Sequence, residues 1–292
     1  MDTTNAAIVV GVDGSEPALR AVRLAAAEAA RQHRPLRVVH AFVWPLLRVP
    51  VGPPPGGPPG SGLRHQAERV VAESVAAAEA AAPGITVTSE IVDGEAAAVL
   101  LGQSPRATLI VIGDRGLGGF GSMLLGSVAV QVSAYAACPV LVARGAARSD
   151  GPVVVGVDGS PRSRAAVAFA ADQAAWRGAE LVALHAWRYP ASEGPGDMQP
   201  LVYDEREVDD EERRILAEST AGLAERYPEV TVTRRVVRAR PARALVEESR
   251  RAQLVVVGAR GLGGFAALVL GSVSHTVLHH SDCPVAVLRH DR

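Results

Sequence analysis

Residues 109–127 read LIVIGDRGLGGFGSMLLGS, and residues 254–272 read LVVVGARGLGGFAALVLGS. In each, four apolar residues suited to a buried strand run into a glycine-rich stretch. A helical pattern follows from Val128 and from Val273. Strand, glycine loop and helix start together make an anion cradle, in which backbone N–H groups and a helix N-terminus point at one place.

Gly113 and Gly258 stand 145 residues apart, and the same offset separates Gly126 from Gly271, His40 from His185 and Cys138 from Cys283. The opening run Val10-Gly11-Val12-Asp13-Gly14-Ser15 returns as Val155-Gly156-Val157-Asp158-Gly159-Ser160. A constant offset across a whole half means a duplicated domain. The boundary falls in the short polar stretch 145–151, giving a first domain over 1–145 and a second over 152–292.

Within the first half, strands are expected at 8–12, 36–42, 86–92, 109–112 and 139–143, with helices at 18–31, 63–81, 95–103 and 128–136. The second half repeats the strands at 153–157, 181–185, 230–237, 254–257 and 284–288. This alternation predicts an α/β protein: two tandem Rossmann-like domains, each a doubly wound parallel sheet of five strands. Proline and glycine crowd residues 44–62, which predicts a loop. Residues 189–204 form the matching connection, and the charge run 204–214 predicts a solvated helix.

Composition narrows the function. The chain has 292 residues, 48% hydrophobic, with a formal net charge of -1. That balance offers no strong field for nucleic acid or an anionic membrane. No apolar stretch is long enough to cross a bilayer and no secretory leader is visible, so a cytoplasmic protein is expected. All basic residues are arginine, and without lysine neither glycine loop can be a Walker-type phosphate loop. Gly116–Gly121 matches a G-x-G-x-x-G pattern, but it follows the fourth strand rather than the first, and the second copy breaks it at Ala266. Cys138 and Cys283 each precede a proline at a strand entry and read as small buried hydrophobes.

In a sheet of order 3-2-1-4-5, ligands bind at the carboxyl ends of strands one and four, where the order reverses. The turn after strand one carries Asp13 and Ser15, and the turn after strand four carries the glycine loop. Gly113 and Gly116 let backbone approach a ligand; the Ser127 and Val128 amides with the Ser127 hydroxyl suit phosphate oxygens. Arg115 and Arg260 either pair with phosphates or project into solvent. Asp13 and Asp158 either accept from a ribose, a base amine or a metal-bound water, or only cap a turn. Ala41 and Ala186 end strand two and expose backbone to a base edge, whereas His40 and His185 read as core residues. The neighbouring positions Gly11, Asp114, Leu117, Gly118 and Gly119 complete the first candidate set. Their second-half counterparts are Gly156, Ala259, Leu262, Gly263 and Gly264, and Ser160 is the counterpart of Ser15. No catalytic set and no metal cluster emerges, so a binding protein is expected rather than an enzyme.

The pattern Gly113-x-x-Gly116, nine residues, Gly126-Ser127, repeated as Gly258-x-x-Gly261, nine residues, Gly271-Ser272, resembles the ATP-binding branch of the universal stress protein family. The V-D-G-S opening and the Cys-Pro-Val ending of each half resemble it too. The resemblance implies an adenine nucleotide in each half, namely ATP with or without Mg2+, and a stress-response role. Asp13 and Ala41 would face adenine and ribose, while Gly113, Gly116, Gly126, Ser127 and Val128 would hold ribose and phosphates. Asp158, Ala186, Gly258, Gly261, Gly271, Ser272 and Val273 would do the same in the second half. It also implies pairing of the two halves about a pseudo-two-fold axis, and a homodimer. Ala239 in place of Gly94, and Ala259 in place of Asp114, depart from symmetry between the halves. A nucleotide-free scaffold and a slow ATP hydrolase are the alternatives.

Overall fold

The computed structural model describes residues 6–43, 62–117, 125–188, 205–261 and 270–289. The first half runs β1 (Ile8–Val12), α1 (Glu16–Arg31), β2 (Leu36–Phe42), α2 (Leu63–Ala81), β3 (Val87–Asp93), α3 (Ala96–Gln103), β4 (Leu109–Gly113), α4 (Ser127–Tyr135) and β5 (Val140–Ala143). The second half runs β6 (Val153–Val157), α5 (Pro161–Arg177), β7 (Leu181–Trp187), α6 (Glu205–Ser219), α7 (Leu223–Arg226), β8 (Val232–Arg238), α8 (Pro241–Ser249), β9 (Leu254–Gly258), α9 (Ser272–His280) and β10 (Val285–Leu288). The expected strands are all present. The four-residue α7 has no counterpart in the expected pattern. The charge run forms most of α6, where Arg214 pairs with Glu211 and Glu218 on its own exposed face. Most of the proline-rich stretch and all of the matching connection lie outside the described residues.

The ten strands form one sheet in the order β3-β2-β1-β4-β5-β10-β9-β6-β7-β8. Neighbours within each half are parallel, as short buried β-branched runs joined by helical crossovers require. β5 and β10 meet antiparallel, with Leu141 opposite Ala286, so one sheet passes through both halves.

Strand periodicity divides the core between the two faces. Ile8, Val10 and Val12 of β1 pack with α1 and α2 on one side, while Val9 faces the opposite side with α3 and α4 residues. β6 repeats this with Val153, Val155 and Val157 against Val154. Both core clusters cross the seam. Each fully buried Val or Leu contributes about 1.5–3 kcal/mol. Ala21, Ala25 and Ala29 of α1, and Ala166, Ala170 and Ala174 of α5, are fully buried at four-residue spacing. Such small side chains bring these helices close to the sheet.

One buried ion pair ties α1 to α5. Arg177 Nη2 donates to Glu28 Oε1 at 2.6 Å, and Arg31 Nη1 donates to the same oxygen at 3.0 Å. Glu28 is 0% exposed. Its duplication counterpart is Gln173, whose amide is buried with no hydrogen-bond partner among the described residues.

Candidate functional site

The order 3-2-1-4-5 places β1 beside β4, and the chain leaves them in opposite directions. A cleft opens at their carboxyl ends, as geometry demands at such a switch point. It encloses about 320 Å³ and is lined by Gly11, Asp13, Ala41, Gly113, Asp114, Arg115, Gly116, Leu117, Gly126, Ser127 and Val128, among others. The equivalent cleft in the second half encloses about 300 Å³. Gly156, Asp158, Ala186, Gly258, Arg260, Gly261, Gly271, Ser272 and Val273 line it.

Each cleft joins an apolar floor to a polar rim. Val39, Leu100 and Ile112 form the floor of the first, and Leu184, Leu245 and Val257 that of the second. Sequence reasoning did not single out these residues, which look like any others at buried strand ends or on a helix. The rim is the start of α4 or α9. Gly126 and Gly271 cap these helices in extended backbone with no side-chain hydrogen bond. The glycine caps supply no side-chain oxygen to the first-turn amides, which favours an anion there. A helix N-terminus contributes about 0.3–1 kcal/mol to holding one, and up to about 2 kcal/mol when partly buried.

The serines that follow the first strand of each half act differently. Ser15 accepts the Ala18 N–H at 3.3 Å and Ser160 accepts the Ser163 N–H at 3.1 Å, so they cap α1 and α5. Neither lines its cleft. Asp13 combines two jobs: Oδ1 accepts the Ser15 N–H at 3.0 Å, and Oδ2 accepts the Leu117 N–H at 2.9 Å. It therefore fastens the start of the glycine loop to the end of β1. Asp158 accepts the Ser160 N–H at 3.0 Å in the same way.

The glycines also have more than one reason to be there. A Cβ on Gly113 would stand 2.8 Å from the Pro17 carbonyl carbon, so this position admits α1 as well as any ligand. A Cβ on Gly116 would fall on the Asp13 carboxylate, and one on Gly261 on that of Asp158. Gly118, Gly119, Leu262, Gly263 and Gly264 lie outside the described residues.

Charge distinguishes the two clefts. The Asp114 carboxylate is buried in the first wall and meets Arg20 at 3.3 Å, Arg144 at 3.8 Å and Arg115 at 3.9 Å. Burial is the main influence lowering the Arg144 guanidinium from its ordinary value, with Asp114 opposing it. Ala259, the counterpart of Asp114, is buried and does not line the second cleft. Its carbonyl accepts the Gly271 N–H at 2.8 Å, as the Asp114 carbonyl accepts that of Gly126 at 2.8 Å, and also accepts the Ser274 hydroxyl at 2.9 Å.

Neither His40 nor His185 lines a cleft. Nδ1 of each meets the carbonyl that ends the first strand of its half, Val12 at 2.8 Å and Val157 at 2.7 Å. Among the described residues His185 alone adds a carboxylate, Glu212 of α6 at 2.5 Å, where the first half has Ala67.

Comparison with known proteins agrees with this architecture. The sequence model described as "Universal stress protein family" matches residues 5–144 and again 151–289. A universal stress protein of Mycolicibacterium smegmatis is 40% identical, over 98% of this chain and 98% of its own. One from Mycobacterium tuberculosis strain H37Rv is 42% identical, over 97% of this chain and 96% of its own. The crystal structure of a universal stress protein from Archaeoglobus fulgidus has the same fold, with a TM-score of 0.70 and 21% identity, over 98% of this chain and 99% of that one. Two family matches in one chain, nearly full-length relatives and a sheet built twice on one plan lead to one conclusion: the chain is a tandem, two-domain member of the universal stress protein family.

Proposed function

We propose that each half holds one adenine nucleotide, ATP, and that the protein is a nucleotide-binding regulator of the stress response in the cytoplasm rather than an enzyme. The observation that carries this reading is the repetition of one cleft design. Each cleft sets an apolar floor against a helix N-terminus with no side-chain cap. Volumes of about 320 and 300 Å³ fall at the lower end of small-molecule sites. The base would rest on the floor, the ribose beside Asp13 or Asp158, and the phosphates at the first turn of α4 or α9. Arg115 and Arg260 at the rims add positive charge for the phosphates. Among the described residues no group of three or more His, Cys, Asp or Glu could hold a metal ion. Mg2+ therefore enters this reading as a counter-ion of the triphosphate.

The non-enzymatic part rests on the chemistry of the rim. The chain has no lysine to meet charge developing on a transferred phosphoryl group. Phosphate release assayed on the purified protein tests it, and turnover near about 1 s⁻¹ would make the protein an enzyme.

A nucleotide-free scaffold is the second reading. The packing of Pro17 against Gly113 and of Asp13 against Gly116 favours it, since both glycines then serve the fold alone. Denaturing the purified protein and counting released nucleotide by chromatography separates the two. Two adenine nucleotides per chain support the proposal. No released nucleotide, together with no heat of binding on titration with ATP, leaves the scaffold.

A further inference from the structure

Arg144 follows β5 and touches both halves. Its Nη1 lies 3.8 Å from Asp114 Oδ2, in the wall of the first cleft. Its Nε donates to the Ser281 carbonyl at 2.9 Å. Ser281 closes α9, its own N–H donating to the Val277 carbonyl at 2.9 Å. The opposite end of α9, from Ser272, lines the second cleft. One half-buried guanidinium thus joins the wall of one cleft to the far end of the helix that forms the rim of the other.

The duplicated copy of this device differs. Arg289, the counterpart of Arg144, donates to the Tyr135 carbonyl at 3.3 Å, at the last residue of α4. A crossing bond thus recurs one residue earlier on the helix, and Ala259 stands where the cleft-wall carboxylate would be.

We propose that Asp114, Arg144 and α9 couple the two clefts, so that an anion bound in the first weakens binding in the second. This inference rests on the nucleotide reading above. Negative charge arriving at the first-turn amides of α4 competes with Asp114 and with the Ser281 carbonyl for one guanidinium. The neutral carbonyl is the weaker acceptor and is released first. The carboxyl end of α9 then loses a donor. Nine residues of helix, about 13 Å long, carry the change to the amides at its other end. Linkage makes the effect reciprocal.

The test is a mutant cycle on the full chain, read by calorimetric titration with ATP. Gly116→Ala disables the first cleft and Arg144→Gln cuts the connection. Gly116→Ala alone raises second-site affinity by about fivefold or more, the lower range of such couplings. In the Arg144→Gln background the same change leaves second-site affinity where it was. Circular dichroism melts show that each variant is folded. Equal second-site affinity in all backgrounds overturns the coupling while leaving the nucleotide reading intact. An equal response to Gly116→Ala with and without Arg144 also overturns it. No binding at either site in the unaltered chain defeats both.

Discussion

The Asp13 carboxylate occupies the space that a side chain on Gly116 would need. Its Oδ2 reaches the Leu117 N–H at 2.9 Å across that gap. Asp158 and Gly261 repeat the arrangement. The glycine therefore lets a carboxylate at the end of one strand hold the loop that leaves another. Gly116→Ala should push Asp13 aside and lower first-site affinity for ATP by about tenfold or more, equivalent to at least about 1.4 kcal/mol. Gly261→Ala should do the same only at the second site. Calorimetry with a circular dichroism control checks this, and unchanged affinity in the double variant would remove the loop from the binding site.

The bond between Glu28 and Arg177 joins residues 149 positions apart in a buried place. Truncating one partner leaves the other charge without its match, at a cost of about 3–5 kcal/mol. Glu28→Ala should lower the urea midpoint accordingly. Arg31 remains close to Arg177 in that variant and aggravates the loss.

Gln173 offers the opposite case. Its amide is buried with no partner among the described residues. Gln173→Met keeps its length and removes the polar atoms. The variant should gain about 1–3 kcal/mol, the desolvation cost of an unsatisfied group. A drop in the urea midpoint would show that the amide is satisfied in solution.

Burial pushes the Cys138 thiol up to about 12 and the Cys283 thiol up to about 11. Thiolate is then a trace species at about pH 8, and it is the thiolate that reacts. Alkylation of the folded protein should proceed no faster than unfolding, then run to completion in denaturant. Rapid labelling of either cysteine in the native state would contradict the burial.

His279 on α9 lies 4.3 Å, ring to ring, from His275, and its Nε2 is buried with no partner among the described residues. Burial lowers its affinity for a proton, followed by the neighbouring His275, His280 and Arg144. The unfolded chain then takes up the proton more readily than the fold. The stability held above the ordinary value of 6.5 should decline as the pH falls below it. His279→Leu should flatten this part of the stability profile. An equally steep profile in that variant would assign the effect elsewhere.

The duplication, the strands and the glycine loops were legible in the residues themselves. Apolar runs such as 8–12 and 109–112 announce buried strands because a parallel sheet hides both faces. The G-x-x-G spacing and Gly126-Ser127 announce a loop before a helix because those demands are local. Even the cleft could be located from strand order. Its floor could not, because Leu100 and Ile112 differ from their neighbours only in which way they face.

What the tertiary structure alone decided is who meets whom. Glu28 and Arg177, Arg144 and Ser281, and Asp114 and Arg20 come from distant parts of the chain, and no period or motif links them. The first two pairs join the halves that are continuous through the antiparallel contact of β5 with β10, and the third meets where α1 packs beside β4. Local patterns report the surroundings each backbone segment needs. Contacts between remote side chains depend on how the finished segments are arranged.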